Sequence, residues 1–275
     1  MTAGTVVDLD SLEAFLRGRL RTSGLVAAGI AAAVCARCAG ESRAAERNAA
    51  LAADDPGRNG AIAGERRAGD GKPGPGKWDQ RLVPYDGFDF WGEIDAEADA
   101  RTPSPAQRAA SRRQGRALLR AARVAWPEDR GLADLADFVA AGSGAGGARG
   151  SVTLAAAAAR ATGSGANAEY RGGPHQAVVL GAAAAAAGCE AAEAARIAAY
   201  QSVAGPASAA VRLLALDPMR ASAVLARLSG DVDQIAGRAA AAAEGPLGEL
   251  PYPSAPALDL LAEAHIRAEV RLFES

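Results

Sequence analysis

Apolar residues recur along most of the chain at the three- and four-residue spacing of a helix, with few β-branched runs. Leu12, Phe15, Leu16 and Leu20 share one helical face. A first helix is therefore predicted, with Asp10 as N-cap and Glu13 reaching back, ended by Thr22-Ser23-Gly24. A nearly all-apolar second helix is predicted over 25–39. From 40 to 88 the period is lost, and charge, glycine and proline mix as in GRNGAIAGERRAGDGKPGPGK. So long a run without structure is unusual inside a compact domain, which marks 40–88 as a disordered insertion. Residues 41–53 could extend a helix into it.

The period resumes at Trp91, Ile94 and Ala98 and stops at Thr102-Pro103. Ser104-Pro105 is an N-cap and first-turn pair, predicting a helix from there to about Trp126, where Pro127 ends it. On it Arg108, Arg112, Arg116 and Arg120 recur every four residues and line one stripe, while Leu118, Leu119 and Ala122 face elsewhere. Leu132, Leu135, Phe138 and Val139 predict a short helix. Two Gly-rich stretches, 142–151 and 163–173, are expected as flexible loops around an alanine helix at 152–162. The most apolar stretch, 175–216, predicts buried alanine-rich helices broken at Gly188 and at Gly205-Pro206. Asp217-Pro218 caps a further helix to Leu228. Asp231 opens the next, with Val232, Ile235, Ala239 and Ala243 on its apolar side. A Pro-rich link over 245–256 precedes a last helix carrying Leu258, Leu261, His265, Ala268 and Leu272. The expectation is an all-α fold, a single helical bundle of roughly eight to ten helices spanning 1–275, with disordered Gly/Pro-rich insertions.

Composition sharpens this. Apolar residues are 49 % of the 275 and aromatics only 4 %, so the core is one of Ala, Leu and Val. A formal net charge of −2 argues against a general nucleic-acid binder. Three cysteines make no disulfide framework. The run 25–39 falls short of the roughly 20 residues of a membrane span. With no signal peptide evident, a cytoplasmic protein off the membrane is expected.

Candidate chemistry is sparse. Residues 71–77 match the start of a phosphate-binding loop. However, Trp78 stands where Ser or Thr would hold magnesium, and two prolines remove backbone donors. Cys35 and Cys38 have C-x-x-C spacing without the preceding strand of a redox pair or two further zinc ligands, so two small residues on a buried helix are expected. His265 sits on the apolar stripe of the last helix, a place for a hydrogen-bonded core or interface histidine. His175, at a helix start, suits a surface or capping role. No catalytic constellation assembles, so no enzyme, no cofactor and no resident metal is expected. The arginine helix at 104–126 leaves one alternative, an all-α binding module for RNA or an acidic protein partner. No aromatic residue interleaves those arginines for stacking.

Five stretches together resemble the urease accessory protein family UreF. They are GTVVDLDSLEAFLRGRLRTSGL, WGEIDAEADARTPSPAQRAASRRQGRALLRAA, the run PHQAVVLG through LLALDP, the helix ending VLARL, and PALDLLAEAHIRAEVRLFES. The resemblance implies an all-α, non-catalytic adaptor that binds UreD (also called UreH) and the GTPase UreG. It implies a homodimer docking on apo-urease in support of nickel insertion. It also implies a family segment of the type P-x-G-x-[FY]-x-x-S-x-G-x-E, which would lie ahead of Met1. Residue by residue, Arg271 matches the family's arginine in the terminal motif, with Leu272 and Phe273 beside it. Arg212 matches the arginine of an A-V-R-L segment. Arg112, Arg113, Gln114 and Arg116 match an S-R-R-Q-G-R run. These eight are the residues expected to meet partners.

Overall fold

The computed structural model describes residues 6–54, 87–142 and 173–267, and these are helical with no strand among them. The all-α expectation holds. The alanine helix expected at 152–162 and the greater part of both Gly-rich loops lie outside the described residues, as do 55–86 of the expected insertion. The nearer part of that insertion is helix.

Helix α1 (Leu9–Arg19) is opened by Asp8, not Asp10. Asp8 accepts from the Ser11 amide at 2.8 Å, and the Ser11 hydroxyl accepts from the Asp8 amide at 3.0 Å. Asp10 lies within the first turn, where its charge suits the helix dipole. Thr22-Ser23-Gly24 does not end the helix. A π-helical turn (Leu20–Gly24) carries it straight into α2 (Leu25–Asp54). The π-turn answers a sequence spacing. Leu12, Leu16 and Leu20 are four apart, Leu25 follows after five, and all four enter the same core cluster. A regular α-helix would turn Leu25 away from Leu20, and the wider turn absorbs the extra residue. Each fully buried leucine stabilises the fold by about 1.5–3 kcal/mol, so the register matters.

Helix α2 is the centre of the molecule. Leu25, Ala28, Ala31 and Ala32 face one core with α1, α7 (Ala191–Leu214), α8 (Pro218–Arg227) and α9 (Ser229–Ala242). Val26, Ile30, Ala33 and Val34 face a second core with α3 (Gly87–Ala100), α4 (Pro105–Ala125), α5 (Arg130–Gly142) and α6 (Gln176–Ala186). A helix covered on both sides must be apolar nearly all round, as α2 is over Leu25–Cys35. The continuous run Leu9–Arg43 is long and apolar enough to cross a membrane, but 67 % of its most apolar window is buried in these cores. Helix α6 crosses α2 closely because Gly181 has no Cβ, which would sit 2.7 Å from the Val34 Cβ.

In the stretch 175–216 the break at Gly188 is real, with φ +81°. The break at Gly205-Pro206 is not, since α7 runs through with Pro206 inside it. Proline has no N–H, so the Ser202 carbonyl four residues back has no intrahelical donor. Arg19 at the foot of α1 fills the gap, donating Nε–H to Ser202 O at 2.9 Å. Ser104 caps α4 and Asp217 caps α8, as expected. A short 3₁₀ turn (Leu247–Glu249) and α10 (Pro256–Ile266) complete the described chain.

Candidate partner-docking surface

The S-R-R-Q-G-R run lies on α4, and its first half points inward. Arg112 is 3 % exposed. One of its terminal nitrogens donates to the Gly173 carbonyl at 2.6 Å and stands 2.9 Å from the Asp95 carboxylate. The other donates to Asp99 at 2.7 Å. Asp95 and Asp99 are one turn apart on α3, so a single guanidinium fork meets both. Burial alone would lower the Arg112 pKa, but the two carboxylates raise it above its ordinary value. Burial likewise pushes Asp99 up, and the hydrogen bond from His175 with the charge of Arg112 outweighs it, so its carboxyl titrates below the usual range.

His175 is buried, not on the surface, and its side chain does not cap α6. Its Nε2 lies 2.8 Å from Asp99 and its Nδ1 3.0 Å from the Ser111 hydroxyl. An ionised carboxylate only accepts, so Nε2 carries the proton. The His175 amide donates to Asp95 at 3.1 Å and the Gln176 amide to Ser111 at 3.1 Å. Gly115 completes the arrangement. A Cβ there would overlap the Pro174 carbonyl, so only glycine lets the turn before α6 rest on α4. Arg116, half-buried, packs its methylenes under Gly173. Ser111, Arg112, Gly115 and Arg116 thus form a cradle for Gly173-Pro174-His175.

Of the expected partner residues, Arg112 is therefore corrected from surface to interior, where it neutralises the buried Asp95 and the half-buried Asp99. Arg113, Gln114 and Arg116 are half-buried on the same helix. Arg108, half-buried, donates to the Thr102 and Pro103 carbonyls. With Arg112 inside, the arginines at 108–120 do not form a continuous cationic face, and the RNA reading loses its platform. Arg212 lies exposed near the end of α7, where its Nε–H donates to the Ser208 carbonyl at 3.4 Å. Arg271, Leu272 and Phe273 lie outside the described residues. The helix that leads to them, α10, is described. It buries no residue of its own. Its Glu263 carboxylate accepts from the Ser104 hydroxyl at 2.5 Å and the Ala106 amide at 2.8 Å, and Asp259 accepts from Gln107 at 3.1 Å. His265 is half-buried on this helix.

The three cysteines offer little chemistry. Burial pushes Cys35 up to about 11 and Cys38 up to about 12. The Cys35 thiol donates to the Cys189 carbonyl at 3.2 Å. Among the described residues no group of three or more His, Cys, Asp and Glu side chains could hold a metal ion.

Two comparisons bear on this geometry. The UreF family model matches residues 80–229. The chain is also 36 % identical, over its whole length and 86 % of the relative, to the urease accessory protein UreF of Mycolicibacterium vanbaalenii. The chain belongs to the UreF family. The UreF proteins of Mycobacterium marinum and Mycobacterium tuberculosis strain H37Rv are each 34 % identical to it over the same spans. UreF proteins are accessory proteins, and on that membership this chain is not an enzyme. The stretch matched by the UreF model contains the entire Asp95–Asp99–Arg112–His175 cluster. In this UreF chain the most motif-like run of α4 thus serves the fold. Sequence reasoning missed the cluster, although Asp95 and Asp99 on α3 share the four-residue spacing of Arg108 and Arg112 on α4.

Proposed function

We propose that this chain is a urease-maturation adaptor acting in the cytoplasm. It bridges UreD (UreH) and the GTPase UreG, works as a homodimer, and supports delivery of nickel, as cargo, into apo-urease. The observation that carries the reading is the full-length likeness to urease accessory proteins named UreF. The placement of α10 is consistent with it. A helix held by surface carboxylates, with no buried residue, can present the residues that follow it to a partner. On this reading Arg271, Leu272 and Phe273 form the partner contact. Arg212, at an exposed helix end, and Arg113, Gln114 and Arg116 on α4 contribute further contacts.

Deleting the gene should leave urease synthesised but nickel-poor. Full urease activity in the deletion strain at limiting nickel would end the proposal. Truncating 270–275 should abolish co-purification of UreD while the bundle stays folded, and unchanged capture would remove the tail from the interface. Arg212→Ala should weaken dimerisation or capture without lowering thermal stability.

A further inference from the structure

A shallow groove of about 340 Å³ lies between the π-turn, α9 and the segment after the 3₁₀ turn. Leu25 and Leu250 form its floor and are 2 % and 1 % exposed. Pro251, Tyr252 and Pro253 form one wall, and Tyr252 is 77 % exposed. Arg21 and Arg238 stand on the other side.

Three independent features show that the groove is built. The first is the wall. Arg101, 5 % exposed, donates to the carbonyls of Leu247, Gly248 and Leu250 at 3.0–3.3 Å. An irregular Pro-rich segment is thereby held rigid, and Tyr252 projects from a fixed platform. The second is the charge. Among the described residues Arg238 has no carboxylate within ion-pair distance, and Arg21 reaches only Asp231 at 3.7 Å. That carboxylate is already engaged by Arg17 at 3.1 Å. Glu249 is the one acidic side chain in the lining, so the groove carries a surplus of positive charge in a chain of net charge −2. The third is the π-turn, which carries Arg21 to the rim. Besides keeping the leucine register, such turns are frequent at functional sites.

We infer that this groove binds an acidic peptide segment of a protein partner, one with an apolar side chain flanked by carboxylates. The apolar side chain rests against Pro251, Tyr252 and Pro253, above the buried Leu25 and Leu250. The carboxylates meet Arg21 and Arg238, whose planar guanidinium forks suit bidentate pairing. Pro251 and Pro253 have no N–H to offer, so the segment is not added as a β-strand and recognition is through side chains. Exposed tyrosine and arginine on a rigid frame are the residue types that dominate binding energy at interfaces. Two cations and one aromatic are too few to follow a nucleic-acid backbone. The inference stands apart from the urease assignment, because it can be tested without any urease component.

The test is fluorescence anisotropy with the full chain and a fluorescein-labelled peptide of sequence Glu-Glu-Leu-Phe-Glu-Glu. Saturable binding at micromolar chain is expected at low salt. Arg238→Ala and Tyr252→Ala, both at exposed positions, should each weaken it by about tenfold or more. Arg220→Ala, which removes the same charge from α8 outside the groove, should leave it within about twofold. A glutamine version of the peptide should not bind. Circular dichroism of each variant separates lost binding from lost fold, and Arg238→Glu serves if the alanine variant is unstable. The inference is overturned by absence of binding to the unmodified chain. Equal loss in Arg220→Ala, equal binding of the glutamine peptide, or displacement by a short single-stranded oligonucleotide at equal affinity would overturn it too.

Discussion

Replacing Arg112 by methionine tests the assignment of the S-R-R-Q-G-R run to the fold. Methionine keeps most of the volume and removes the charge. Asp95, 1 % exposed, would then lose the Arg112 guanidinium, while Asp99 would keep Arg108 at 3.9 Å and the bond from His175. Breaking a buried pair by deleting one partner costs about 3–5 kcal/mol. The Gly173 carbonyl, which accepts at 2.6 Å, loses its donor as well, for about 1 kcal/mol more. Against a total stability of roughly 5–15 kcal/mol this is a large fraction. Urea unfolding followed by circular dichroism at pH 7 measures it. The pH dependence supplies a second signature. The folded-state pKa of Asp99 lies below its ordinary value. Its contribution is therefore complete above about pH 4 and is lost as pH falls through the lowered folded value. In Arg112→Met one cause of that depression is gone, so the acid-side loss of stability should shrink. A variant within about 0.5 kcal/mol of the parent would refute the reasoning. So would one that folds normally and fails only in partner capture, which would place Arg112 on an interface.

Gly115→Ala should destabilise by about 1–3 kcal/mol of overpacking, less the roughly 1 kcal/mol of helix propensity gained. Gly18→Ala, on an exposed face of α1 where a Cβ meets nothing within 4 Å, should stabilise by up to about 1 kcal/mol. Opposite signs in thermal melts confirm the cradle, and equal signs contradict it. Glu263→Ala should speed amide hydrogen exchange over Pro256–Ile266 without changing exchange in α2. Unaltered exchange would mean that α10 is held by other contacts. Lowering the pH should have the same effect on α10. Glu263 titrates below its ordinary value because of Ser104 and the Ala106 amide, so the attachment is full above about pH 4.5 and lost as that lower value is passed. Cys35 and Cys38 should resist iodoacetamide at pH 8 in the folded chain and react in urea, since their thiols titrate near 11 and 12. Rapid alkylation of both in the native state would show that the helix opens.

Helices whose signals are local were legible in the residues. Ser104-Pro105 and Asp217-Pro218 carry their own caps, and Trp91, Ile94 and Ala98 carry their own period. What was not legible depends on distant partners. Pro206 reads as a breaker because its lost hydrogen bond is visible and the compensating Arg19 is not. His175 reads as a surface residue because Ser111 and Asp99, which engage its ring, come from two other helices. Arg112 reads as one of a solvated stripe because nothing on α4 itself announces two carboxylates on α3. The π-turn left a trace in the five-residue interval from Leu20 to Leu25, but Thr22-Ser23-Gly24 looks like a terminator and masks it.

That interval makes the first helix asymmetric toward small length changes. Delete one residue from 21–24 and the turn closes to a regular α-helix in which the leucines now at 20 and 25 stand four apart, still in phase. Leu12, Leu16, Leu20, Leu25, Ala28 and Ala32 would keep their common core. Add one residue and the turn, already wide, has no slack left, so everything downstream rotates by about 100° relative to α1. The two ends of this continuous rod stay in phase with one supernumerary residue or with none. A one-residue deletion should therefore be tolerated here and a one-residue insertion purged, even where almost any side chain is accepted.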